Sequence, residues 1–118
     1  MVDNAATLFG IANCDTVKKT RKVLDALGVD YVFHDYKKAG LDATLAETLL
    51  GAIALETLIN QRGSSWRKLT TAQQNSLSQT SALSLIMANP SLVRRPIIRH
   101  PKGWIVGYDE ALLQALAQ

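Results

Sequence analysis

Apolar positions change their spacing several times along this chain, and each change marks an element. Residues 7–11, TLFGI, form a short apolar run between polar residues, which predicts a buried strand. The period then lengthens. Val17, Thr20, Leu24 and Leu27 recur at helical spacing, with Val23 alongside, and Gly28 supplies a stop. DYVFHDY, residues 30–36, reads as a second strand. Strand, helix and strand in so short a span predict a right-handed βαβ unit.

The middle of the chain is helical in pattern. Asp42 is positioned to cap a helix running to about Leu50, and ALETLI at 54–59 continues or restarts it. NQRGSSW at 60–66 is a loop by composition. Short helices are expected at 65–69, 71–77 and 81–88, with Thr71 and Ser81 as caps, and Pro90 suits the first turn of another. PIIRH (96–100) and WIVGY (104–108) flank PKG, which predicts a β-hairpin. Asp109 then caps a closing helix over EALLQALA. The expected architecture is α/β with a mixed sheet. A βαβ half and a ββα half make a thioredoxin-like fold, with a helical insert at about 42–93 in a single domain spanning 1–118.

Composition narrows the function classes. The 118 residues are 47% hydrophobic and 19% charged, ordinary values for a globular domain able to bury a core and stand alone as a monomer. The net charge of +3 is a mild excess that favours acidic small ligands over nucleic acid. The N-terminal MVDNAATLFG lacks the pattern of a signal peptide, and LAETLLGAIALETLI, broken by Glu47 and Glu56, does not suit a bilayer. With one cysteine and so no internal disulfide, a cytoplasmic location is expected.

That cysteine is the chemical focus. Cys14 falls between a predicted strand and a predicted helix, flanked by Asn13 and Asp15 rather than set in an apolar face. Unpaired backbone N–H groups at a helix start favour a thiolate over a thiol, and Lys18, one turn on, adds to that. A thiolate in that position is a candidate nucleophile. Two familiar patterns are absent. A dithiol redox motif needs a second cysteine at position 17, which is Val17. A phosphatase-type loop needs arginine at position 20, which is Thr20, with Arg21 one residue late. An outside thiol must therefore resolve any mixed disulfide formed by Cys14.

The stretches LFGIANCDTVKKTRKVL, DYVFHDYKKAGLD, INQRGSSWRKL, IMANPSLVRRPII and VGYDEALL, in this order, run over essentially the whole chain. Together they resemble the arsenate reductase (ArsC) superfamily, most closely its YffB-like branch of proposed glutathione-dependent thiol reductases. The resemblance implies that Cys14 is the nucleophile. It implies that Arg62, in NQRG, and Arg95, in RRP, bind an oxyanion or a carboxylate. Pro96 matches the proline that is cis in thioredoxin-like folds. Arsenate reductases add a third arginine from the strand after the hairpin turn, where this chain has GWIVGY. A thiol or disulfide substrate with glutathione as co-substrate fits better than arsenate. The expected activity is glutathione-dependent thiol–disulfide reduction, with or without glutaredoxin as partner, on a small-molecule or protein disulfide. The alternatives are arsenate reduction and a non-enzymatic Spx-like role in binding RNA polymerase. The Spx branch usually carries the second cysteine that this chain lacks.

The remaining candidates read as structure. Lys19, Arg21 and Lys22 suit the wet face of an amphipathic helix, while Arg94 and Arg99 extend a basic rim around Arg95. His34 and His100 have no metal-ligand spacing with Cys14, so no metal is expected. Trp66 and Trp104 are assigned to packing.

Overall fold

The fold is taken from a computed structural model that describes residues 6–117. The described residues divide into two compact units, 6–39 with 95–117, and 40–94.

The first unit is built on a four-stranded sheet. Strand β1 is Ala6–Gly10, helix α1 Asp15–Leu27, strand β2 Tyr31–Asp35 and helix α2 Tyr36–Ala39. Strands β3, Ile97–His100, and β4, Gly103–Val106, form the hairpin, and α8, Glu110–Leu116, closes the chain. The spatial order is β2-β1-β3-β4. β1 pairs parallel with β2 and antiparallel with β3, and β3 pairs antiparallel with β4. This is the mixed sheet of a thioredoxin-like fold. The alternation of β1 sends Ala6 and Leu8 into a cluster with Val17, Leu24, Ile98, Ile105 and Leu113, so α1 and α8 cover one face of the sheet.

Local chemistry explains the helix ends. On α1, Val17, Thr20 and Leu24 are buried, whereas Leu27 at the end of the stripe is only half-buried. The buried Thr20 hydroxyl is satisfied by the Thr16 carbonyl at 2.8 Å. Gly28 takes a left-handed conformation, φ 71°, and the Val29 N–H returns to the Leu24 carbonyl to close the helix. Asp109 Oδ1 accepts from the Leu112 N–H and starts α8. Tyr36, read from sequence as the end of the second strand, instead opens α2. Asp35 Oδ1 accepts the N–H groups of Lys37 and Lys38 and turns the chain there.

The second unit is helical. It contains α3, Ala43–Ala52; α4, Leu55–Leu58; α5, Ser64–Arg67; α6, Thr71–Asn75; and α7, Gln79–Ala88. A 3-10 turn at Pro90–Leu92 ends it. Asp42 Oδ1 caps α3 through the Leu45 N–H at 2.8 Å. The helix breaks at the extended Ile53 and restarts as α4. Two caps lie N-terminal to those read from sequence. Thr70, not Thr71, caps α6 in a reciprocal box with Gln73, and Ser78, not Ser81, caps α7 in a box with Ser81. α3 packs on α7, with Ala46, Leu49, Ala82 and Ile86 fully buried. A bridge between Ile59 and Val93, and the Arg94 N–H on the Leu58 carbonyl at 2.7 Å, tie the end of this unit to its α4 segment.

Candidate active site

Topology brings three chain segments to one edge of the sheet. β1 and β2 run parallel, so their C-terminal ends share an edge, where Gly10 pairs with Asp35. β3 runs the other way, so its start lies at the same edge, where Phe9 pairs with Ile97. The segments leaving these strands carry Cys14, Tyr36 and Arg95. Ligands of open α/β sheets gather at such an edge.

Cys14 is half-buried and occupies the N-cap of α1, with φ −145° and ψ 122°. Its carbonyl accepts the Lys18 N–H at 2.9 Å, while its side chain makes no cap hydrogen bond. The thiol is thus left at a helix start among N–H groups that lack intrahelical partners. The approach is tight. A Cβ on Gly10 would lie 2.8 Å from Cγ2 of the buried Val17, so the glycine lets α1 run close beneath the end of β1. The loop before Cys14 is pinned by Asp35, whose Oδ2 accepts the Ala12 N–H at 3.2 Å. Burial pushes the Asp35 carboxyl up, but the Ala12, Lys37 and Lys38 N–H groups outweigh it and hold the carboxyl below its usual value.

Arg95 is the charged partner of Cys14. Its half-buried guanidinium lies within hydrogen-bonding reach of the Cys14 and Tyr36 side chains. Burial alone would lower its pKa. The hydrogen bonds to Cys14 and Tyr36 and the attraction of their charged forms raise it instead, so it stays a cation. Tyr36 is fully buried, and burial pushes its phenol up to about 12 against the opposing pull of Arg95. The Arg95–Pro96 peptide bond is cis, and Pro96 is buried at the entry to β3.

The other expected site residues fall differently. Lys18 is exposed on the first turn of α1. Lys19 reaches the Tyr108 ring, its Nζ 4.4 Å from the centroid. Arg62 belongs to the helical unit. It is exposed in the turn before α5, its N–H on Asn60 Oδ1 at 3.1 Å and its carbonyl accepting from Arg67 at 2.8 Å. Trp104 stacks on Phe9, 6.4 Å between centroids, with the Arg99 guanidinium over its ring. His34 lies 5.5 Å from Phe9. Among the described residues no group of three His, Cys, Asp or Glu side chains could hold a metal, and no helix is long and apolar enough to cross a membrane.

Tyr36 and Asp35 are the two site residues that sequence reasoning misses. The signal lies in the register. A residue that follows the strand paired in parallel with β1 must emerge beside the loop that leaves β1.

The ArsC family model matches residues 9–116. The chain belongs to the ArsC family. A solved structure of the YffB (PA3664) protein superposes with a TM-score of 0.90 at 34% identity, over 97% of this chain and all of that one. An arsenate reductase (ArsC) related protein from Brucella melitensis has a TM-score of 0.77 at 39% identity, over 98% of this chain and 96% of its own. An uncharacterized protein of Haemophilus influenzae is 42% identical over 92% of this chain and 96% of its own length. The global transcriptional regulator Spx of Streptococcus agalactiae is 32% identical over 92% of this chain and 80% of its own. This ArsC-family chain thus stands among arsenate reductase-like and Spx-like proteins.

Proposed function

We propose that this ArsC-family protein is a glutathione-dependent thiol–disulfide reductase working through Cys14 alone. The observation that carries the reading is a cysteine at a helix N-cap, at the sheet edge where the segment bearing Arg95 also enters. A cation and a ring of unpaired N–H groups both stabilise negative charge on sulfur, and the thiolate is the attacking species.

Cys14 thiolate attacks one sulfur of a disulfide. The Cys14–substrate S–S bond forms, the substrate's own S–S bond breaks, and the departing thiolate takes a proton from water. Position 17 holds the buried Val17, so no second thiol follows on α1. Glutathione thiolate therefore attacks the mixed disulfide. It regenerates Cys14 thiolate and leaves with the substrate sulfur as a new disulfide. A further glutathione, directly or through glutaredoxin, reduces that product and becomes glutathione disulfide. Arg95 receives the negative charge that moves between sulfurs, and Lys18 adds positive potential at the same helix start. Arg62 is proposed as a binder of a glutathione or substrate carboxylate on the family resemblance. Chemistry that depends on a free thiolate suits a reducing compartment, and we place the protein in the cytoplasm.

The test is glutathione-dependent reduction of the cysteine–glutathione mixed disulfide, with Cys14→Ser beside the wild type. The wild type is expected to turn over and C14S to fall to the uncatalysed rate. Unchanged turnover in C14S would end this mechanism. The same coupled assay with arsenate in place of the disulfide reads the arsenate reductase alternative directly. The Spx relatives motivate a third reading, a regulator that binds a protein partner. Recovery of RNA polymerase in a pull-down, with no reductase turnover, would favour it.

A further inference from the structure

We propose that Tyr36 is a positioning residue for the Cys14 thiol, its buried phenol fixing the Arg95 guanidinium so that the guanidinium donates to the sulfur. The inference rests on Cys14 being the nucleophile and adds a residue that acts on it through another.

The geometry has three parts. Tyr36 is fully buried, so packing restrains its side chain. Its backbone is fixed at the turn from β2 into α2, where the preceding Asp35 carboxylate holds the N–H groups of Ala12, Lys37 and Lys38. Arg95 enters at the same sheet edge, within hydrogen-bonding reach of both the phenol and the sulfur. An arginine side chain has many rotamers, and ordering it has an entropic cost. One bond to a soft, large sulfur leaves the planar fork able to swing. A second bond to a rigid oxygen removes that freedom, because the fork's N–H groups have fixed directions.

The choice of a phenol also matters. A buried hydroxyl without a partner destabilises a core, so phenylalanine would fill this volume at lower cost if packing were the only demand. A carboxylate could hold the guanidinium too, but it would neutralise the charge that acts on the sulfur. A phenol accepts the hydrogen bond and stays neutral. With its proton held to about pH 12, Tyr36 remains in that form at every physiological pH.

The experiment is a double-mutant cycle on the full chain, reading the rate of Cys14 alkylation by iodoacetamide across pH. The variants are Tyr36→Phe, Arg95→Gln and the double mutant, with Arg95→Lys in place of glutamine as a second cycle. Asp15 and Lys18 on α1 and Asp35 beside Tyr36 are common to all of them. Y36F is expected to melt cooperatively, to alkylate roughly fivefold more slowly at neutral pH, and to shift the midpoint of its profile to higher pH. On either Arg95 variant, Y36F should add little further loss. An unchanged rate and profile in Y36F would overturn the proposal. So would equal losses with and without Arg95, since the tyrosine would then act independently. Iodoacetamide reports on the thiol without glutathione. A wild type that shows the coupling but no glutathione turnover would reject the proposed reaction and retain the Tyr36–Arg95–Cys14 relation.

Discussion

A phenol that keeps its proton to about pH 12 when folded, against about 10 when exposed, links Tyr36 to alkaline stability. The unfolded chain gives up that proton first. The contribution is therefore whole below pH 10, declines above it, and is lost as pH rises through 12. The difference amounts to about 2–3 kcal/mol. Y36F has no proton to lose here, so the stability gap between wild type and Y36F should shift in favour of Y36F between pH 10 and 11, as read by urea melts. A gap that stays constant would show that the phenol is hydrated. Residue-scale chemistry was unevenly legible in the sequence. Cys14 stood out because polar neighbours and a change of period surround it, and Arg95 because a proline follows it. Tyr36 was hidden because tyrosine is common in strands, and its neighbour Asp35 decides the strand's end only through hydrogen bonds to residues not adjacent to it.

At the scale of elements, the β1–α1 contact sets where the cysteine sits. Val17 is β-branched and buried, so it cannot swing away from a Cβ at position 10. Gly10→Ala should cost roughly 1–3 kcal/mol in unfolding free energy. It should also slow Cys14 alkylation, because the start of α1 must lift. Destabilisation with an unaltered alkylation rate would show that the strain is absorbed elsewhere. Strands, hairpin and α1 were readable because alternation gives way to a helical period at clear boundaries. The caps of α6 and α7 were harder. In LTTAQQ both threonines have a glutamine three residues on, so sequence alone does not choose between Thr70 and Thr71. Ser78 closes its box with Ser81 rather than with the usual glutamate or glutamine, and so the wrong serine looked like the cap.

For the whole molecule, the two proposed anion-binding arginines fall in different units, and their roles are separable. Arg62→Ala should raise KM for the anionic cysteine–glutathione mixed disulfide roughly tenfold, less at high salt. It should leave the rate of Cys14 with neutral iodoacetamide unchanged. A slower iodoacetamide reaction in R62A would give Arg62 a direct effect on the thiol. The order of units along the chain was legible as a change from mixed to purely helical pattern near residue 42. The resemblance put Cys14 and Arg95 in one site, but that Tyr36 joins them was not legible, because it depends on β2 pairing parallel, and β3 antiparallel, to β1. That pairing also has a meaning in time. Proteins are made from the N-terminus, and residues 40–94 must be synthesised between Tyr36 and Arg95. Until β3 joins the sheet, the segment that carries Arg95 is not in place beside Cys14. If Cys14 works as proposed, its chemistry waits on completion of the fold, and an unfinished or truncated chain would carry the cysteine without its arginine.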